Sequence, residues 1–241
     1  MKRLLDVFIS FTGLLILSPV LIIFIFLIYL QDKYNPFYVA PRVGKDGVLF
    51  NMIKLRTMVM GADKNGIKST SADDRRITGL GHIIRRFKLD EITQLFNVLT
   101  GDMSLVGPRP NLKPETDLYT TEENKLLTVK PGITDFSSIV FSDEGEILKG
   151  SSNPDLSYHQ LIRPWKSRLG IIYIENQSVY LDIKLIAWTV IAIINKKLIL
   201  KNIVKELEKL NVDINLLNVC RRDCELVPAA PPGADKPVEF G

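Results

Sequence analysis

The chain has 241 residues, of which 46% are hydrophobic and 24% charged, and a formal net charge of +4. That length suits one sizeable core, or one core plus a membrane element, and argues against two small domains. The positive balance favours an anionic partner (phosphates, an acidic membrane surface or nucleic acid) without choosing among them. Cys220 and Cys224 lack the His or Cys partners of a zinc site, so they read as free cytosolic thiols.

The first element is the apolar run Val7 to Leu30, which contains no charged residue. As a straight helix at about 1.5 Å per residue it would be roughly 36 Å long, enough to cross a bilayer core, and it is too long for a cleaved signal peptide. Ser18 and Pro19 interrupt it at the middle. Proline removes a helix donor, so a bend is expected there, with the Ser18 hydroxyl satisfying a freed carbonyl such as that of Leu14. Lys2 and Arg3 precede the run and Lys33, Arg42, Lys45, Lys54 and Arg56 follow it. Positive charge on both flanks suits a segment that turns back, whereas a kinked spanning helix fits the proline equally well.

Two extended stretches around Lys45, Asp46 and Gly47 predict a hairpin with Lys54 and Arg56 on its second arm. Gly61 to Ser71 reads as a loop, and a helix capped near Ser71 carries Arg85 and Arg86. "LDEITQLFNVLTG" predicts a helix ended by Gly101, with an apolar stripe of Ile92, Leu95, Phe96 and Leu99. On it, Asp90 shares a polar face with Gln94 and Asn97, and Glu91 sits about 100° round. In "SLVGPRPNLKPE", Pro108 and Pro110 stiffen the chain on either side of Arg109.

A helix is expected from Pro114 to Leu127, then a hairpin of "FSSIVF" and "EILKG" around Asp143 to Gly145. Pro164 interrupts a helical region from Tyr158 to Asn176. The apolar run Leu185 to Ile194, with Trp188 inside and Lys196 and Lys197 beyond, is too short to span; it is either core or interfacial, with core favoured. "IVKELEKLNVDINLL" is amphipathic and helical. The proline-rich end reads as disordered or as an appended remnant.

An adjacent Asp90 and Glu91 among Lys54, Arg56, Arg85, Arg86 and a rigid Arg109 suit a phosphate ester: cations hold phosphoryl oxygens, and a carboxylate binds a divalent ion or attacks phosphorus. The same charges would also suit an inactive solvated surface. No aromatic-basic platform or motif supports nucleic-acid binding.

"KLRTM", "LDEITQLFNVLTGDMSLVGPRP" and "KPGIT", in this order behind an apolar segment broken at Ser-Pro, resemble the bacterial sugar transferases, the monotopic phosphoglycosyl transferases, in their small form. The likeness covers about residues 1 to 195. It implies a mainly helical α+β fold, with a re-entrant helix over 1–32 broken at Ser18 and Pro19 and a catalytic domain with short strands and interfacial amphipathic helices over 33–200; the residues beyond read by their own pattern as a helical extension over 201–224 and a tail over 225–241. It implies a monotopic protein on the cytoplasmic face of the bacterial inner membrane, in contact with the inner leaflet, and leaves room for a homodimer.

The activity implied is transfer of a sugar 1-phosphate from a UDP-sugar to undecaprenyl phosphate, releasing UMP, with magnesium and a covalent intermediate. Asp90 matches the nucleophile and a magnesium ligand, and Glu91 completes the catalytic pair. Lys54, Arg85, Arg109 and Asp182 match positions linked to substrate binding and activity. Where many relatives continue Gly-Trp-Ala-Gln-Val-Asn-Gly after the Gly-Ile-Thr, this chain reads "DFSSIVFSDEGEI", and Gly170 stands where an Asp is common. These departures bear on the sugar, for which an N-acetylated amino sugar is expected, with a hexose as the other option. The alternative to an enzyme is a non-catalytic membrane scaffold of a polysaccharide assembly complex, against which the intact Asp90, Glu91 and Arg109 weigh.

Overall fold

The computed structural model describes residues 1–65 and 69–239. Helix α1 (Lys2–Asp32) is the apolar segment, and Pro19 lies inside it without ending it. Pro19 deprives the Leu15 carbonyl of its helical donor, and the Ser18 hydroxyl donates to that carbonyl at 2.8 Å, so the acceptor is Leu15 and not Leu14.

Both ends of α1 are tied to the rest of the molecule. Lys2 Nζ donates to Asp182 Oδ2 at 2.7 Å, to the Val106 carbonyl at 3.0 Å and to the Tyr173 hydroxyl at 3.1 Å. Arg3 donates to the Val98 and Leu99 carbonyls, and buried Asp6 accepts from Ser104 Oγ and the Leu105 N–H. At the other end Arg56 grips Asp32 with both terminal nitrogens, at 2.5 and 2.7 Å. Between them, Leu21 and Ile28 pack with Leu55 and Ile84. The outer face, with Leu4, Phe8, Phe11, Leu15, Ile22 and Phe26 at helical spacing, is exposed. An apolar face of this extent on an ordinary water-facing surface is unfavourable, and α1 is long and apolar enough to cross a membrane.

Strands β1 (Phe37–Val43) and β2 (Leu49–Leu55) form the expected antiparallel hairpin, in register from Phe37 opposite Leu55 to Val43 opposite Leu49. Helix α2 (Gly79–Arg86) starts later than expected: Thr78, not Ser71, caps it, accepting from the Gly81 N–H at 3.0 Å. Part of the expected loop before it, residues 66–68, lies outside the described residues.

The single helix expected from Leu89 to Gly101 is divided. Lys88 adopts a left-handed conformation (φ 58°), a 3-10 turn spans Leu89–Glu91, and only then does α3 (Gln94–Thr100) run to Gly101. Gln94 and Asn97 are buried while Phe96 is 47% exposed, the reverse of the expected stripe. The reason is polar: Asn97 clamps β2, accepting from the Ile53 N–H and donating to the Asn51 carbonyl.

Strands β3 (Ser104–Val106) and β4 (Gly132–Thr134) pair in parallel, and a Cβ on Gly132 would come within 2.1 Å of the Gly107 nitrogen. Only glycine allows that approach, which brings the Arg109 turn onto β4. Helix α4 (Lys113–Thr116) and a 3-10 segment over Glu123–Thr128 replace the helix expected from Pro114 to Leu127. The expected hairpin after Thr134 is helical: α5 (Phe136–Val140) and α6 (Glu144–Ile147). Asp135 decides this by capping α5, accepting from the Ser138 N–H at 2.7 Å and from the Ser137 and Ser138 hydroxyls.

Helix α7 (Pro154–Ser157), a π turn over Tyr158–Ile162 and α8 (Arg163–Glu175) follow, with Pro164 in the first turn of α8, where its missing N–H costs little. Helix α9 (Val179–Lys209) is kinked at Asn195 (φ −139°, ψ 76°) and runs on through residue 200 to α10 (Ile214–Arg221). One core holds Phe136, Tyr173, Leu185, Ile203 and Leu217, so the extension packs on the same interior as the strands. The Leu185 to Ile194 run faces both ways, with Leu185 buried and Val190, Ile193 and Ile194 exposed. Residues beyond Glu225 form no helix or strand as far as residue 239, but they are hydrogen-bonded in place: the Ala229 N–H donates to the Gln160 carbonyl and Gln160 Nε2 to that of Val238. Burial pushes the Cys220 thiol up to about 12, consistent with an inert thiol.

Candidate active site

A polar cavity of about 560 Å³ opens between the β1–β2 hairpin, the α2–α3 connection, the Arg109 turn and the start of α6. Asp90 and Glu91 enter it from the 3-10 turn. The left-handed Lys88 breaks the chain just before them, so the two carboxylates are presented on a short turn and not along the side of a long helix.

The two acids have different surroundings. Glu91 accepts from Arg109 Nη2 at 2.6 Å and from Lys54 Nζ at 3.4 Å, while Arg109 also donates to Gln94 Oε1 and the Ile133 carbonyl. Burial works to raise the Glu91 carboxyl, but Arg109 and Lys54 outweigh it and hold the acid below its ordinary value. Asp90 has Lys54 Nζ at 3.8 Å, and its carboxylate accepts no side-chain or backbone hydrogen bond among the described residues. Burial pushes its carboxyl up; Lys54 opposes that, and the neighbouring Glu91 charge adds to it. The pair is thus split into a locked carboxylate and one whose oxygens are available to a ligand.

Around them stand cations without acidic partners. Arg42, Arg85, Arg86 and Lys88 line the cavity, and none makes an ion pair within 4 Å among the described residues. Arg85 is aimed by its Nε donating to Thr57 Oγ1 at 2.9 Å. Burial lowers the pKa of Lys54 against the pull of Glu91 and Asp90. Such a ring can receive several phosphoryl oxygens.

A second cavity of about 370 Å³ adjoins the first and shares Arg85, Arg86, Lys88 and Glu91. Its other walls are mostly apolar: Ile92 and Leu95, Ile133 and Ile139, and Ala192 and Ile193 of α9. Exposed Phe96, Val190, Ile193 and Ile194 lie on α3 and α9, two of the helices that bound it.

The structure therefore gathers Asp90, Glu91, Lys54, Arg85 and Arg109, and it does not bring Asp182 to them. Asp182 is 2% exposed and bonded to Lys2 and Tyr173, which makes it the anchor of the start of α1. Ser18 and Pro19 lie in α1, outside the cavity. Sequence reasoning missed Arg42, Lys88, Ser138 and Lys166 as cavity residues. Arg42 and Lys88 had a signal, since both are cations beside elements that already carried candidate residues. Ser138 and Lys166 had none, because long-range folding alone brings them there.

Among the described residues, no three acidic, His or Cys side chains cluster as an all-protein metal site. Asp90 nevertheless suits magnesium, a hard ion that takes one or two carboxylates and completes its shell with phosphate oxygens and water.

Residues 1–196 match the family described as bacterial sugar transferase. The exopolysaccharide production protein ExoY of Sinorhizobium fredii is 30% identical over 80% of this chain and 84% of its own. An undecaprenyl-phosphate glucose phosphotransferase of Komagataeibacter xylinus is 36% identical over 78% of this chain and 35% of its own, and an undecaprenyl-phosphate galactose phosphotransferase of Salmonella typhimurium 39% over 56% and 31%. The match thus spans about a third of those two longer relatives. Because the family match covers most of its length, the chain belongs to the bacterial sugar transferases.

Proposed function

We propose that this transferase moves a sugar 1-phosphate from a UDP-sugar to undecaprenyl phosphate by way of a covalent Asp90 intermediate. The observation that carries the reading is the contrast within the pair: Glu91 is locked by Arg109 and Lys54, while among the described residues Asp90 accepts no hydrogen bond and Arg42, Arg85, Arg86 and Lys88 near it have no acidic partner within 4 Å.

The cations take the diphosphate and offset its repulsion of the carboxylate. An Asp90 oxygen attacks the sugar-bearing phosphorus, the bond from that phosphorus to the bridging oxygen breaks, and UMP leaves with that oxygen. The product is a sugar phosphate joined to Asp90 as an acyl phosphate. An oxygen of undecaprenyl phosphate then attacks the same phosphorus, the bond to Asp90 breaks, and the carboxylate is restored as the lipid diphosphate sugar departs. Magnesium bound by Asp90 and the phosphates would neutralise diphosphate charge. Glu91 holds Arg109 and Lys54 in place, and the apolar cavity beside Arg86 and Lys88 receives the first isoprene units of the lipid.

The chain sits on the cytoplasmic face of the inner membrane, with the exposed apolar face of α1 in the near leaflet and both ends of the helix held at the body of the protein. Support comes from α1 itself: a helix crossing to the far side could not have Lys2 and Arg3 at one end and Asp32 at the other bonded to the same body. Relatives named for N-acetylgalactosamine, for glucose and for galactose support keeping both expected donors, an N-acetylated amino sugar and a hexose.

Asp90→Asn is expected to cut UMP release from UDP-sugars by at least about a thousandfold while the protein stays membrane-bound. Undiminished turnover in that variant would remove Asp90 as nucleophile, and a panel of UDP-sugars on the wild type identifies the donor.

A further inference from the structure

Beyond the family match, which ends at residue 196, the structure contains a third and larger cleft of about 890 Å³ between α9 and α10. Its rim carries six basic side chains against three acidic ones, Asp143, Glu208 and Asp223, and its floor is apolar. Lys197, Lys201 and Lys205, spaced four residues apart, form one ladder along α9, and Arg221 and Arg222 face them from the end of α10. Buried Leu200 and Val204 form the floor.

The charges on this rim are not balanced internally. Lys196 and Arg222 are spent on Asp143, at 2.9 and 3.0 Å, and Arg221 reaches Glu208 at 3.5 Å. Lys197, Lys201 and Lys205 are exposed and have no acidic partner within 4 Å among the described residues. Like charges four residues apart on a helix repel. Asn195 also restarts α9 here, its side chain accepting from the Leu198 N–H, so Lys196 and Lys197 stand at the positive end of the new helical segment. A fold that tolerates this arrangement holds it ready for an anion.

Exposed apolar side chains also stand just before the cleft on α9. Val190, Ile191, Ile193 and Ile194 precede the lysines on α9 and are exposed, Ile194 by 89%. Exposed apolar side chains followed by a lysine ladder are what an interfacial helix presents to acyl chains and headgroups respectively. We propose that the cleft binds an anionic phospholipid of the membrane face, its phosphate among Lys197, Lys201 and Lys205 and its glycerol and upper acyl chain over Leu200 and Val204. This needs the membrane location proposed above and none of the transfer chemistry.

The full-length chain in neutral detergent is titrated with short-chain phosphatidylglycerol, with phosphatidylcholine of the same chain length, and with inorganic phosphate, and the thermal midpoint is followed. Phosphatidylglycerol should raise the midpoint at concentrations at least tenfold below either of the others. The triple variant Lys197→Gln, Lys201→Gln, Lys205→Gln should need at least tenfold more of it, whereas Lys45→Gln, Lys130→Gln, Lys236→Gln, with the same change in net charge, should respond as the wild type does. An equal response to phosphatidylcholine or to phosphate overturns the assignment, as does an unchanged response in the first variant or an equal loss in the second. UMP release is not read in this experiment, so failure of the catalytic proposal would leave its result untouched.

Discussion

Glu91→Gln and Asp90→Asn each remove one negative charge at nearly constant size, yet they should move stability in opposite directions. Glu91 is bonded to Arg109 at 2.6 Å and Lys54 at 3.4 Å, and the Glu91 and Arg109 side chains are each 20% exposed. Breaking a fully buried pair from one side costs about 3–5 kcal/mol; partial access of water to this one reduces that to about 1–3 kcal/mol. In a chain of this size each kcal/mol shifts the unfolding midpoint by about 2–4 °C, so Glu91→Gln should lower it by roughly 2–12 °C. The linkage has the matching sign: the folded-state carboxyl lies below its ordinary value of 4.5, so its contribution is present above that value and is lost on acidification. Asp90 lies above its ordinary 3.8 because burial penalises its charge, so at neutral pH ionised Asp90 costs stability and Asn removes the cost. Differential scanning fluorimetry in neutral detergent at pH 7.5 should show Asp90→Asn at or above the wild type and Glu91→Gln below it. An Asp90→Asn midpoint as low as that of Glu91→Gln would refute the division of the pair into a locked and a free carboxylate.

The other predictions concern turnover and topology. Because the nucleophile must be ionised and burial raises its pKa in the free protein, the acid limb of kcat/KM, which reports the free enzyme, should lie above the ordinary aspartate value of 3.8 in a pH profile of UMP release; a limb at or below that value contradicts the burial argument. Arg109→Lys loses the guanidinium fork that meets Glu91, Gln94 and Ile133 at once, so kcat should fall at least about tenfold in steady-state assays. In a Cys224→Ser background, where Cys220 is buried and protonated, cysteines placed before residue 4 and after residue 33 should both be labelled from one face of the membrane, and labelling from opposite faces would establish a spanning helix.

What the sequence disclosed depended on how local the cause was. The hairpin around Lys45 to Gly47 and the proline-flanked Arg109 were legible because turn chemistry and proline act on their own neighbours. The helix drawn through Asp90 was misread because helical periodicity treats Gln94 and Asn97 as solvent-facing, whereas both are buried to serve Arg109 and the edge of β2. The hairpin expected after Thr134 failed for a local reason given too little weight: one aspartate capping Ser138 outweighs the β-branched pattern of "FSSIVF". Asp182 meets Lys2 across 180 residues of sequence, and no spacing rule reaches that far.

That last pair sets an order of events during synthesis. Arg56 is made soon after Asp32, the Val98, Leu99, Ser104 and Leu105 partners of Arg3 and Asp6 follow, and Asp182, the partner of Lys2, is made after all of them. The apolar helix is therefore fastened in steps, first at Asp32, then at Arg3 and Asp6, and last at Lys2. Closure at Lys2 comes last, once the start of α9 has been made, and completes a hold already in place at Asp32, Arg3 and Asp6.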